Sequence, residues 1–230
     1  ISDDYRWLED SASPEVTRWT EAQDRHSRAL LDRSPALQPL RARVRELVDA
    51  LSPSYFDLSH QGAVLFARKW QPPKEQPLLV VLRSPEDPSS ERVLLDPATL
   101  DPKAVTTIDY YVPSLDGSLV AVSLSERGTE DGTVHVFDVK TGKKLPDVVP
   151  RAHSGTAGGS LAWVADRSGF YYTRHPAEGE RPKEDLGFYQ QIYFHKLGTP
   201  ASADRYAVGK EFPRIAETHL QASEDGKWIL

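Results

Sequence analysis

The segment Gly158-Gly159-Ser160 has the residue types of a serine nucleophile held in a tight turn. A nucleophile elbow follows the pattern G-x-S-x-G between a strand and a helix, so that the serine is exposed on a strained turn. Here Ala162 stands in place of the last glycine, and the run 161–164 continues as a strand. The pattern therefore favours a loop that enters an inner strand, with Ser160 outside any catalytic triad.

Other residue types that carry chemistry are dispersed. The seven histidines form no H-E-x-x-H and no other tight ligand spacing, and His135 and His195 lie inside strand-like runs where packing or a hydrogen bond accounts for them. Cysteine is absent, which excludes thiolate catalysis, disulfides and cysteine-based zinc sites in this stretch. The sequence contains no glycine-rich motif of a phosphate-binding loop. We expect no metal, no cofactor and no complete active site in these 230 residues.

The charge balance bears on partners. Lys and Arg number 28 against 34 Asp and Glu, so the net charge is −6 at neutral pH. Nucleic acids and anionic membrane surfaces select basic patches, and we expect neither as a partner. No apolar run is long enough to span a bilayer. The compartment is unknown: we favour the cytoplasm, and a periplasmic or secreted location stays open because a signal peptide could precede Ile1.

A short phrase ending in glycine recurs along the chain. Its copies end at Gly62, Gly117, Gly169 and Gly226, at intervals of 55, 52 and 57 residues, and each is followed by a strand-like run. Glycine tolerates the positive φ of hairpin turns, and a period near 50 residues with several strands indicates propeller blades. Propellers close with about 4–8 blades. Three blades and a fragment cannot close, so we expect this chain to belong to a longer one.

The strand periodicity places four strands in each full period. The predicted strands are 55–58, 63–69, 78–83 and 92–95; then 106–112, 118–124, 133–139 and a short piece near Leu145; then 161–164, 170–173, 191–195 and 206–208, with a fourth blade starting near Leu220. The proline-rich and charged stretch 176–187 is predicted to be a solvated hairpin extension.

Residues 1–52 have a helical pattern instead. Ser13-Pro14-Glu15 is a helix start, with an N-cap, a proline at the first helical position and an acid in the first turn. Apolar spacings of three and four predict amphipathic helices over 14–31 and 36–51. Helices of this length cannot bury both stripes alone. We therefore divide the chain into a helical segment, 1–52, that packs on a larger body, and a propeller part, 53–230.

The opening Asp4-Tyr5-Arg6-Trp7-Leu8-Glu9-Asp10 closely resembles the start of the prolyl oligopeptidase family of serine peptidases. Val93-Leu94-Leu95-Asp96-Pro97, Pro113-Ser114-Leu115-Asp116-Gly117 and Tyr193-Phe194-His195-Lys196-Leu197-Gly198-Thr199 resemble its first three blades, in the same order. The match runs over essentially the whole chain.

The resemblance implies a mainly β chain: an N-terminal helical segment that is part of an α/β-hydrolase domain, followed by blades 1–3 and the start of blade 4 of a seven-bladed propeller. The family's catalytic triad would lie beyond Leu230, so no triad residue falls in this segment. Loops at the blade starts would face the substrate cavity; by position these are Gly159 and Ser160, and Glu217 and His219.

The leading hypothesis is thus the N-terminal, substrate-gating half of a serine oligopeptidase that cleaves short peptides after proline. Its partners would be short proline-containing peptides and its own C-terminal hydrolase domain. A related oligopeptidase that cleaves after Lys or Arg is an alternative. A propeller used only as a non-catalytic binding module is a third reading, which the amphipathic helices disfavour.

Overall fold

The computed structural model describes residues 3–100 and 105–230. These residues form two compact units, 1–51 and 52–230, which we treat separately. The first unit begins with a 3₁₀ turn at Arg6–Glu9 and contains the helices α1 (Pro14–Leu31) and α2 (Leu37–Asp49). The second unit is built of β-sheets.

The helix start predicted at Ser13 is confirmed. The Ser13 Oγ accepts a hydrogen bond from the backbone N–H of Glu15 (3.2 Å), and Pro14 opens the helix. In the first unit, Val16 is the one buried side chain among the residues that the structure describes. Leu40 of α2 is 61% exposed, and Leu47 is 52% exposed. Within this unit the apolar stripes of both helices therefore remain uncovered.

The second unit contains three antiparallel sheets of four strands, each in sequential order. The strands are β1 (Ser54–Gln61), β2 (Val64–Trp70), β3 (Leu78–Leu82) and β4 (Arg92–Leu95); β5 (Thr106–Pro113), β6 (Leu119–Glu126), β7 (Gly132–Asp138) and β8 (Lys144–His153); and β9 (Leu161–Trp163), β10 (Gly169–Arg174), β11 (Gln191–Lys196) and β12 (Arg205–Val208). A four-residue helix, α3 (Pro97–Leu100), follows β4. Every strand predicted above overlaps one of these observed strands. Four antiparallel strands in sequential order are typical of a propeller blade.

The fourth strand of the second sheet is longer than predicted. We expected a short piece near Leu145, whereas β8 covers ten residues, Lys144–His153. Its two prolines, Pro146 and Pro150, disfavour a central strand because proline donates no hydrogen bond to a ladder. β8 is the outer edge of its sheet and pairs on one side only, with β7, so the prolines are tolerated there.

The core lies between successive sheets. Phe66 and Leu79 of the first sheet pack with Tyr111 and Val120 of the second in one buried cluster. A second cluster joins the second and third sheets and includes Trp163, whose indole N–H donates to the backbone oxygen of Val112 (2.9 Å). This face-to-face stacking of four-stranded sheets is the packing of propeller blades.

The third copy of the repeated phrase is aligned differently from our prediction. Its turn begins at Val164, whose N–H donates to the backbone oxygen of Gly169. The residue of this turn with a left-handed backbone is Arg167 (φ +60°). The equivalent position is Gly117 (φ +71°) in the second sheet and Gly226 (φ +67°) at the end of the chain. Gly169 is therefore the first residue of β10 and not the turn glycine. The hydrogen-bond pattern, and not the glycine, marks the repeat.

Candidate functional site

A groove of about 420 Å³ runs along the innermost strands of the second and third sheets. Its wall includes residues 110–113 of β5, 159–163 around β9 and the segment 219–222 that follows β12. We call the end where β5 and β9 begin the strand-start face, and the opposite end the turn face.

The groove wall has few titratable side chains. Among the described residues that line it there is no Asp, Glu, Lys or Arg, and His219 is the one histidine. Burial and the nearby Asp109 carboxylate raise the pKa of Tyr110 far above its ordinary value, so its phenol stays protonated. The wall can therefore offer hydrogen bonds and apolar contact to a ligand without selecting it by charge.

Ser160 uses its hydroxyl to join two inner segments. Its Oγ accepts the backbone N–H of Leu220 (2.8 Å) and donates to the backbone oxygen of Leu220 (3.4 Å). Its own N–H donates to the Oγ1 of Thr173 (2.8 Å). The side chain is buried, and within the described ranges no histidine is hydrogen-bonded to it. An activated serine needs an adjacent base, so Ser160 is a structural residue of the groove wall.

Gly159 is required by close packing. A Cβ at this position would lie 2.1 Å from the backbone oxygen of Ala152 and 2.9 Å from the Tyr110 ring. Such distances cannot be accommodated without moving the backbone of β8. The glycine therefore lets the loop before β9 approach its neighbouring sheet, and this approach forms one rim of the groove.

Gln190 supports the same rim from behind, and the sequence pattern did not reveal it. Its side chain is buried, its Nε2 donates to the backbone oxygen of Gly158 (3.3 Å), and its Oε1 accepts the N–H of Thr218 (3.2 Å). The His175 Nε2 lies 3.3 Å from the Gln190 Nε2, and burial lowers the pKa of His175. One amide thus fixes the two loops that carry Gly159 and His219.

The four predicted cavity residues are not all together. Gly159, Ser160 and His219 line the groove, whereas Glu217 is exposed and lies outside its lining. In a segment that alternates along the chain, residues 217 and 219 share one side and Thr218 the other. Here the Thr218 N–H donates to Gln190. Of the two residues on the other side, only His219 reaches the groove.

Comparison with known proteins identifies the family. A family model described as the prolyl oligopeptidase N-terminal beta-propeller domain matches residues 1–230. The chain belongs to this family. The recognition made from the opening heptapeptide and the blade phrases is confirmed, and so is a mainly β fold with a propeller domain.

Relatives of this family member span a longer chain. It is 26% identical to a prolyl endopeptidase of Elizabethkingia meningoseptica over 93% of its own length and 29% of that protein. It is 28% identical to the dual function macrocyclase-peptidase POPB of Amanita bisporigera, over all of its length and 33% of that protein. The chain therefore spans about a third of the relatives it matches.

A solved structure from a study of two prolyl endopeptidases and their inter-domain dynamics superposes with a TM-score of 0.84 at 29% identity, covering the whole chain and 33% of that structure. Prolyl oligopeptidase B of Galerina marginata, bound to a 35mer hydrolysis and macrocyclization substrate, superposes with a TM-score of 0.77 at 22% identity, over the whole chain and 34% of that structure. The latter supports the fold alone.

Proposed function

We propose that this chain is the N-terminal, substrate-gating half of a serine oligopeptidase that hydrolyses short peptides after proline. The observation that carries the proposal is the family match over residues 1–230 combined with coverage of only about a third of peptidase relatives. The missing two thirds would hold the rest of the propeller and an α/β-hydrolase domain with the catalytic serine, aspartate and histidine beyond Leu230.

The groove supports a gating role. A channel wall without acidic, lysine or arginine side chains would let peptides of different charge pass, and the close-packed turn face leaves little space between the first two sheets. The Gly62 and Gly117 turns approach so closely that a Cβ on either would lie 2.4 Å from the other's backbone. A peptide would therefore enter along the channel and not between these two sheets, and a narrow channel would admit an extended peptide and exclude a folded protein.

The exposed helical stripes support the proposed domain division. Residues 1–52 would pack on the hydrolase domain through the apolar faces of α1 and α2, which are uncovered within their own unit. Residues 53–230 would supply blades 1–3 and the start of blade 4. A structure of the longer protein in which these stripes stay in solvent would contradict the division.

At the substrate cavity we propose Gly159, Ser160 and His219 as wall residues, and Glu217 as a residue of the cavity rim. The first three line one groove, which supports their assignment. Ser160 would hold the Leu220 backbone in place, and His219 would offer its imidazole to the substrate. The peptide substrate would contact His219 in the groove, and Glu217 would lie at the edge of the cavity outside the groove lining.

A fluorophosphonate serine probe tests the proposed function. In the native protein we expect labelling of a species about three times the 25.7 kDa of this chain, because the chain covers 33% of similar proteins. The labelled enzyme should lose cleavage of short substrates after proline. Labelling accompanied by cleavage after Lys or Arg would favour the alternative peptidase, and an unlabelled 25.7 kDa protein would favour a non-catalytic binding module.

A further inference from the structure

A second pocket, of about 280 Å³, lies at the strand-start face of the third sheet, away from the groove lining. It is formed between the end of β10, the start of β11 and the extension that connects them. Its walls are Arg174, Glu180 and Arg181, two tyrosines and two prolines, with Gln191. We call it the arginine pocket. It shares no lining residue with the groove.

Arg181 carries an unmatched charge in this pocket. Its guanidinium stacks on the Tyr189 ring (3.6 Å to the ring centroid), and no carboxylate among the described residues pairs with it. The other arginine in the wall, Arg174, is paired with Glu180 and stacks on Tyr193 (4.2 Å). The pocket therefore has one net positive charge. The N–H donors of the Arg181 guanidinium are not hydrogen-bonded to any described residue.

The stack orients that charge toward a planar anion. A guanidinium lying flat on a ring keeps its N–H edge available, and this edge matches a carboxylate in a two-bond arrangement. Tyr189 itself has a left-handed backbone (φ +54°) and donates its N–H to Arg214 (2.9 Å). Backbone strain of this kind in a non-glycine residue is found at functional sites. The apolar walls are Pro176, Pro182 and Tyr193.

The pocket is connected to the groove through the chain. Tyr189 is followed directly by Gln190, the buried amide that holds the loops of Gly159 and His219. A ligand that fixes Tyr189 would thus also fix the rim of the groove. We propose that the arginine pocket binds the carboxylate of a peptide, with the apolar walls receiving the side chain of the residue that bears it. This inference rests on the proposed peptidase function.

Direct binding is the first test, and it uses the full-length protein that contains this chain. The probes are an N-terminally fluorescein-labelled hexapeptide acid ending in Ala-Phe, its C-terminal amide, and that amide with one internal glutamate. All three lack Pro, Lys and Arg, so that neither of the peptidases considered above cleaves them. We expect the acid to bind about fivefold more tightly than the amide, the gain of an accessible ion pair. The glutamate amide reports whether a side-chain carboxylate can substitute. The preference should shrink in 0.5 M salt.

Arg181→Gln is the test variant, and Arg205→Gln is its matched control. Arg205 also stacks on a ring (Phe194, 5.1 Å) and has no ion pair with a described residue, but it begins β12 and so lies at the turn face of the same sheet. We expect Arg181→Gln to abolish the acid preference and Arg205→Gln to retain it. Arg181→Lys, which keeps the charge and loses the fork, should retain only part of it.

Three outcomes would overturn the inference. One is equal affinity for acid and amide in the unmodified protein. Another is an acid preference that survives Arg181→Gln. The third is an equal loss of affinity for acid and amide in Arg181→Gln, which would show that Arg181 supports binding without contacting the carboxylate. Binding is measured without turnover, so it can be judged separately from peptidase activity. A protein that has no peptidase activity but prefers the acid would contradict the proposed function and still support the carboxylate site.

Discussion

The guanidinium of Arg167 in the third sheet's turn contacts the Asp116 carboxylate in the second sheet's turn, Nη1 to Oδ2 at 2.8 Å. Arg167 also donates to the Ser118 Oγ (3.0 Å). Burial disfavours the charged form of Asp116, but hydrogen bonds from Ser114 and Ser118 hold its pKa below the ordinary value. The residue that occupies a glycine position therefore uses its side chain to connect two blades.

Two substitutions separate the strain at Arg167 from its ion pair. Both Arg167→Ala and Arg167→Gly remove the ion pair, but only glycine relieves the left-handed backbone. We expect Arg167→Gly to have the higher free energy of unfolding, by about 1 kcal/mol. Urea denaturation of the two variants measures the difference. Equal stability would mean that the φ of +60° carries no cost.

The reciprocal packing of Gly62 and Gly117 gives a second prediction. A Cβ at Gly62 would lie 2.4 Å from the backbone oxygen of Asp116, in addition to the strain of its positive φ. Gly62→Ala should therefore cost about 3 kcal/mol or more of unfolding free energy. Gly128→Ala is the matched control, because Gly128 also has a positive φ but no described neighbour within 4 Å of an added Cβ, and it should cost about 1 kcal/mol.

His195 is the third test. The buried imidazole contacts Asp204 through Nδ1 (2.7 Å) and Asp147 through Nε2 (3.2 Å). Burial alone would lower its pKa, but hydrogen bonds and charge from Asp204 and Asp147 outweigh burial and raise it. Replacement by glutamine leaves at least one buried carboxylate uncompensated, so we expect a loss of about 3–5 kcal/mol in urea denaturation.

The same histidine predicts a pH dependence of known sign. Because the pKa of His195 is higher in the folded state, its contribution is complete below the unfolded value of about 6.5 and is lost as the pH rises through the folded pKa. The difference in unfolding free energy between the unmodified protein and His195→Gln should thus shrink from pH 6 toward alkaline pH. A difference that grows over this range would refute the assignment.

Ser160 provides a fourth test, of structure against catalysis. Ser160→Ala leaves the buried N–H of Leu220 without its acceptor, and we expect a loss of about 1–3 kcal/mol of unfolding free energy. In the full-length protein, labelling by a fluorophosphonate should persist. Loss of labelling in a folded variant would show that Ser160 is the nucleophile after all.

Local patterns were sufficient to predict the elements. The Ser13 cap set the first helix at 14–31 as observed, and short strand-like runs between turn signals placed the twelve described strands. β8 was underestimated because Pro146 and Pro150 are strand breakers except at an edge, and edge position depends on tertiary structure. The turn at Arg167 was misaligned because a non-glycine residue occupies the left-handed position, and its contact with Asp116 in another sheet has no local sequence signal.

The candidate site was only partly accessible to such patterns. Gly159, Ser160, Glu217 and His219 were placed by position from the family resemblance, and all but Glu217 line one groove. Gln190 and Arg181 were missed because a buried amide and a stacked guanidinium have no spacing rule. Their roles depend on backbone atoms and rings that are distant along the chain, such as Gly158 for Gln190.

The mutual approach of the Gly62 and Gly117 turns has an evolutionary consequence. Because each turn occupies the space where the other's side chain would be, a change in one is tolerated only when the other shifts with it. Homologous chains should accordingly show these two positions varying together or not at all. Insertions should instead accumulate in the connection between β10 and β11, where Gly179 has open space around it. New substrate specificities would then arise at the strand-start face, while the turn face keeps neighbouring blades in a fixed position.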